Sequence, residues 1–133
     1  MDPYKLMAQW QLQRLKLERA IACACLSKIG ADALRAKGIT PKLINDEACR
    51  IIVAAAFVAW RSGRCTAAYL ADLALRENGF TGFDVRGSPE WLPYPDARFL
   101  SDLARWMLDA DARQRRAEGH LRAAEELLTR EPV

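Results

Sequence analysis

The chain has 133 residues, 51% of them apolar and 28% charged, with a formal net charge of +3. Such a composition fits one globular domain with a real core; it is too apolar for a disordered chain and too weakly basic to be a nucleic-acid signature by itself. The longest apolar run, IIVAAAFVAW from Ile51 to Trp60, is about half the length of a bilayer crossing, and the N-terminal MDPYKLMAQWQLQR lacks a signal-peptide core, so a cytoplasmic protein is expected.

The first predicted element is a long helix from about Pro3 to Ile29, with Asp2 as cap and Pro3 in the first turn. Leu6, Trp10, Leu17 and Ile21 form one apolar stripe, and Leu12, Leu15, Ala22, Leu26 and Ile29 a second, with Gln11, Arg14 and Glu18 between them. Gly30 is expected to end or bend this helix, leaving open whether it continues into the short piece ADALRAK. A start signal follows, either at Thr40-Pro41 or at Asn45-Asp46-Glu47, where Asn45 would cap and two acids would sit at the positive helix end. The helix over about 46–61 is apolar all round from Ile51 to Trp60, which predicts a central helix buried on every side.

Ser62-Gly63 breaks the chain, and Thr66 can cap a third helix running to Asn78, with Ala67, Leu70, Leu73, Ala74 and Leu75 inward and Tyr69, Asp72 and Arg76 outward. Asn78-Gly79-Phe80 fits a helix end with a left-handed glycine and an apolar residue folded back. The last helix opens at Pro95-Asp96 and runs to about Thr129 along the stripe Phe99, Leu100, Leu103, Trp106, Met107, Ala110, Ala117, Leu121, Ala124 and Leu128. Its opposite face carries opposite charges four apart, such as Asp111 with Arg115 and Glu118 with Arg122. A helix of about 33 residues is about 50 Å long, more than the width of a compact chain of this size. The stripe at Leu121, Ala124 and Leu128 therefore needs a cover, which the first helix or a second copy in a homodimer can supply. The expected fold is all-α: a bundle of four main helices in one domain over residues 1–133, with one ordered loop.

That loop, GFTGFDVRGSPEWLPYP over residues 79–95, carries four aromatics. So long a connection is usually functional or disordered, and this one is too apolar for disorder. It reads as a lid over one end of the bundle or as a contact surface, with Phe83, Asp84, Arg86, Trp91 and Tyr94 as candidate partner-binding residues, since aromatics and arginine on a rigid support make interface hot spots.

Catalytic chemistry is not apparent. His120 is the single histidine and sits in the charged RRAEGHLRAAEE; Asp109/Asp111 and Glu125/Glu126 fall beside arginines as salt-bridge partners. No phosphate-cradling glycine pattern occurs. Cys23, Cys25, Cys49 and Cys65 lack metal-ligand spacing and read as buried thiols. No enzyme activity, metal or cofactor is expected.

Charge is uneven along the chain: residues 1–65 hold 11 Lys/Arg against 5 Asp/Glu, and residues 66–133 hold 9 against 12. This asymmetry can steer an acidic partner to the first half. The expected function is a non-enzymatic protein-binding module, a small regulator or inhibitor that occupies a partner protein's surface. The Ala/Arg/Leu-rich composition would suit a bacterial or phage accessory protein. The alternative is a nucleic-acid-binding accessory protein using Arg14, Lys16, Arg19, Lys28, Arg35, Lys37 and Lys42 of the basic half.

Overall fold

The computed structural model describes residues 2–81 and 97–129. Among them all regular structure is helical: α1 Pro3–Cys25, α2 Lys28–Ala36, a 3-10 turn Pro41–Leu43, α3 Glu47–Ser62, α4 Ala67–Glu77 and α5 Ala97–Thr129. The described chain thus has five α-helices rather than four. The loop expected at 79–95 falls almost wholly outside the described residues, which resume at Ala97.

The extra helix arises because α1 stops at Cys25 instead of running to Ile29. Ser27 takes extended backbone angles and caps α2, its Oγ accepting from the amide of Gly30 at 3.0 Å and donating to the Ala24 carbonyl at 3.1 Å. The hydroxyl thereby serves orphan groups of both helix ends at once. Gly30 lies inside α2 and ends nothing; its role is close approach. A Cβ there would meet the Ala24 carbonyl oxygen at 2.0 Å, so only glycine fits where α2 turns back on α1. The Cys25 carbonyl, left open at the end of α1, accepts from the indole nitrogen of Trp60 on α3 at 2.9 Å.

Of the two start signals for the next helix, Thr40-Pro41 opens only the 3-10 turn, and Asp46 rather than Asn45 caps α3 by accepting from the Cys49 amide at 3.0 Å. Thr66 caps α4 through the Tyr69 amide at 3.2 Å. The far end of α4 closes with Gly79 at φ 85° while the Phe80 amide returns to the Leu75 carbonyl at 2.9 Å, a helix stop that folds Phe80 onto the core.

The helices stack in the order α4, α3, α1, α5, with α2 against α1, α3 and α5. The core is built from Ile21, Leu34, Ile39, Ile44, Ile52, Val53, Leu75, Leu100, Leu103 and Met107, with small residues such as Ala22, Ala56, Ala59 and Ala71 at the close contacts. α3 is largely buried, yet not on every side: Val58 is half-exposed and Glu47, Arg50 and Arg61 face solvent. The C-terminal half of α1 shares its central role, because α1 packs against α2, α3 and α5. On α4, Leu73 faces outward with Tyr69 rather than inward; the buried residues of this helix are Ala67, Ala71 and Leu75. No described helix is long and apolar enough to cross a membrane.

Candidate interaction surface

The surface begins at a buried polar junction. Arg14 and Glu18 lie on α1 between its two apolar stripes, and they are 8% and 1% exposed. Burying such charges is costly unless they are paired and hydrogen-bonded. Both are. Arg14 Nε meets Glu18 Oε2 at 3.4 Å; Arg14 Nη2 donates to the Leu43 carbonyl at 2.7 Å and to Asp111 Oδ1 at 3.2 Å; Arg14 Nη1 donates to Gln114 Oε1. Glu18 Oε1 accepts from the Asp46 amide at 2.7 Å. Asn45 Nδ2 adds a bond to Gln114 Oε1 at 3.1 Å, and Arg115 Nε pairs with Asp111 Oδ2 at 2.9 Å. One arginine and one glutamate thus tie α1, α5 and the link into α3 together.

The junction also marks where two helices leave the body. On α1 the buried residues lie C-terminal to Arg14, in the segment 18–25; on α5 they lie N-terminal to Asp111, from Leu100 to Met107. With Arg14 beside Asp111 and Gln114, the two helices enter the body side by side in opposite directions. Their other ends project together. Every residue from Ala8 to Gln13 and from Arg115 to Thr129 is exposed. Fifteen residues of α5 extend about 22 Å beyond the junction at 1.5 Å per residue.

The projecting part of α5 remains apolar on one face. Leu100, Leu103, Met107, Ala110, Gln114, Ala117, Leu121, Ala124 and Leu128 follow an unbroken alternation of three- and four-residue steps, the seam of a coiled coil. Its first half is spent on the core. Its second half is bare: Leu121 is 57% exposed, Leu128 72%, and the flanking Leu127 69%. With α1 in place Ala117, Leu121, Ala124 and Leu128 all remain exposed, and Trp10 and Leu12 on the projecting turns of α1 are also more than half exposed.

The candidate partner-binding residues Phe83, Asp84, Arg86, Trp91 and Tyr94 lie outside the described residues. Within the basic set, Lys16, Arg19, Lys28, Arg35, Lys37 and Lys42 are exposed, whereas Arg14 is enclosed in the junction and cannot reach a phosphate. Lys28 and Arg35 share one face of α2, but Asp32 stands between them. The network around Arg14 and Glu18 is a feature that sequence reasoning misses; its signal is an Arg and a Glu four apart, flanked by apolar stripes on both sides.

The cysteines split by depth. Cys25 and Cys49 are buried, and Cys23 and Cys65 partly so. Burial pushes the Cys25 thiol up to about 12. Cys49 is also raised, first by burial, then by its hydrogen bond with Asp46 and the negative charges of Asp46 and Glu18. Such thiols stay protonated and unreactive. Among the described residues no group of three His, Cys, Asp or Glu side chains could hold a metal ion. Comparison with protein-family models, curated proteins and solved structures finds no match.

Proposed function

We propose that this chain is a non-enzymatic protein-binding module, a small regulator or inhibitor that works by occupying the surface of another protein. The observation that carries the reading is the bare apolar seam from Ala117 to Leu128, held out from the body on a continuous helix. Apolar surface presented on a rigid element loses little conformational entropy on binding, which favours association. Val58 on α3 and Tyr69 and Leu73 on α4 are further half-exposed apolar side chains, and in sequence α4 is followed by the segment carrying Phe83, Asp84, Arg86, Trp91 and Tyr94.

Capture of partners from the native host, followed by mass spectrometry, tests the reading when repeated with the Leu121→Glu and Trp91→Ala variants. A specific protein captured by the wild type and lost with either variant, at unchanged helix content, supports it. Binding through apolar residues should change little with salt. The alternative, nucleic-acid binding through Lys16, Arg19, Lys28, Arg35, Lys37 and Lys42, would weaken steeply as salt rises. Nucleic acid recovered in place of protein, with that salt dependence, would replace the proposal by its alternative.

A further inference from the structure

We propose that Arg14 is a positioning residue for the projecting α5 segment, acting through Asp111 and Gln114 to hold its first turns helical where they leave the body; this rests on the reading of that segment as a binding surface and assigns what preorganises it.

Asp111 and Gln114 each bond in two directions. Asp111 Oδ1 accepts from Arg14 Nη2 at 3.2 Å, while Oδ2 accepts from Arg115 Nε at 2.9 Å, one turn further out. Gln114 Oε1 accepts from Arg14 Nη1 and from Asn45 Nδ2 at 3.1 Å, while Nε2 donates to Glu118 Oε1 at 2.9 Å. Two chains of bonds therefore start at one buried guanidinium and end on the exposed Arg115 and Glu118. Arg14 is itself held by the Leu43 carbonyl at 2.7 Å and by Glu18 Oε2 at 3.4 Å, so its fork presents fixed donors to α5. A planar guanidinium serves these separate acceptors at once, which an ammonium on a flexible stem is not shaped to do.

The placement matters because every residue from Arg115 to Thr129 is exposed and no packing holds the segment. A surface pair four apart contributes little when both side chains must give up freedom to meet. Here one member of each pair is already ordered by Arg14, so less freedom is lost when the outer bond forms. A helix grows by adding residues to a formed turn, and the turn at 111–114 is the one from which 115–121 continues. A segment kept helical at its root loses less conformational entropy on binding.

The test is amide exchange on the millisecond-to-second scale in the full chain, resolved by mass spectrometry. Gln114→Met keeps the helix propensity of glutamine and removes its side-chain bonds. It is expected to speed exchange over residues 115–121 about threefold, with residues 97–107 unchanged. Arg14→Lys keeps the buried charge beside Glu18 but not the fork, and is expected to do the same. Glu118→Met cuts only the outer bond and is expected to speed the same residues about twofold; it carries the test if either buried change disturbs the fold. Arg105→Met removes an exposed pair with Asp102 away from the junction, and is expected to leave 115–121 as in the wild type. Exchange over 115–121 that is indifferent to Arg14→Lys in a folded chain, or to Glu118→Met, overturns the proposal, as does an equal rise in Arg105→Met. Partner capture separates the proposal from the reading beneath it. If exchange rises as expected and the wild type captures no protein, the positioning role stands and the binding reading fails. If Leu121→Glu abolishes capture while exchange is indifferent to these variants, the binding reading stands and the positioning role fails.

Discussion

Glu18 is more deeply buried than any other charged side chain among the described residues, and its two oxygens are both engaged, one by Arg14 and one by the amide of Asp46. Asp46 is in turn the residue that caps α3. Truncating Glu18 would leave the Arg14 guanidinium with an uncompensated buried charge and the Asp46 amide without its acceptor. Glu18→Ala is therefore expected to cost about 3–5 kcal/mol of folding stability, measurable as a lower urea midpoint. Gly30 presents the opposite situation, a site where the smallest addition is too much. The added methyl of Gly30→Ala would strike the Ala24 carbonyl, a backbone atom that cannot rotate away. The expected loss is about 1–3 kcal/mol or more, although alanine is the better helix former by about 1 kcal/mol. A gain in thermal midpoint for Gly30→Ala would show that the α1–α2 corner can relax.

At the scale of the element, α5 behaves as two helices in one. Its first half is stabilised by tertiary packing of Leu100, Leu103, Ala104 and Met107. Its second half has only its own hydrogen bonds and surface contacts, such as Gln114 Nε2 to Glu118 Oε1 at 2.9 Å. Continuing from an anchored first half, it escapes the nucleation cost that makes so short a helix marginal by itself. The same kind of substitution should then have opposite consequences in the two halves. Met107→Ala is expected to cost about 2–5 kcal/mol of folding stability. Leu128→Ala, under dilute conditions where the chain is monomeric, is expected to fall within about 0.5 kcal/mol of wild type. Chemical denaturation of the two variants side by side makes the comparison.

The molecule as a whole is a body made of α1 to α4 and the first half of α5, from which two helix ends project beside one buried ion-pair junction. Its core relies on small residues and includes the thiols Cys25 and Cys49, so its pH dependence has an alkaline component. The Cys25 thiol is raised from 9.0 to about 12 by burial. An acid whose folded pKa lies above its unfolded value contributes stability that is complete below the unfolded value. That stability is lost as pH climbs from the one toward the other. Folding stability should accordingly decline from about pH 9 toward pH 12, and Cys25→Ala should reduce that slope whatever its effect on stability at neutral pH. Thermal unfolding midpoints measured across this range would reveal an unchanged slope if Cys25 were not the source.

What could be read from the residues alone is whatever short-range chemistry decides. The cap at Thr66, the stop at Asn78-Gly79-Phe80, the break at Ser62-Gly63 and the end of α5 at Thr129 all depend on atoms within a few positions of one another, while the expected start of α5 at Pro95-Asp96 lies outside the described residues. The overhang of α5 follows from length and rise per residue. The tertiary structure decided the rest, because the answer lay with neighbours distant in sequence. α1 ends at Cys25 because α2 needs room to turn back, a requirement visible only once Gly30 is seen against Ala24. Val58 and Leu73 face solvent because of where α3 and α4 meet, which their own periodicity does not encode. Arg14 is a buried tie rather than a surface cation because Leu43, Asp111 and Gln114 converge on it from elements 29 to 100 residues away. Local bonds set where a helix begins and stops; only packing decides which of its charges can be kept from water.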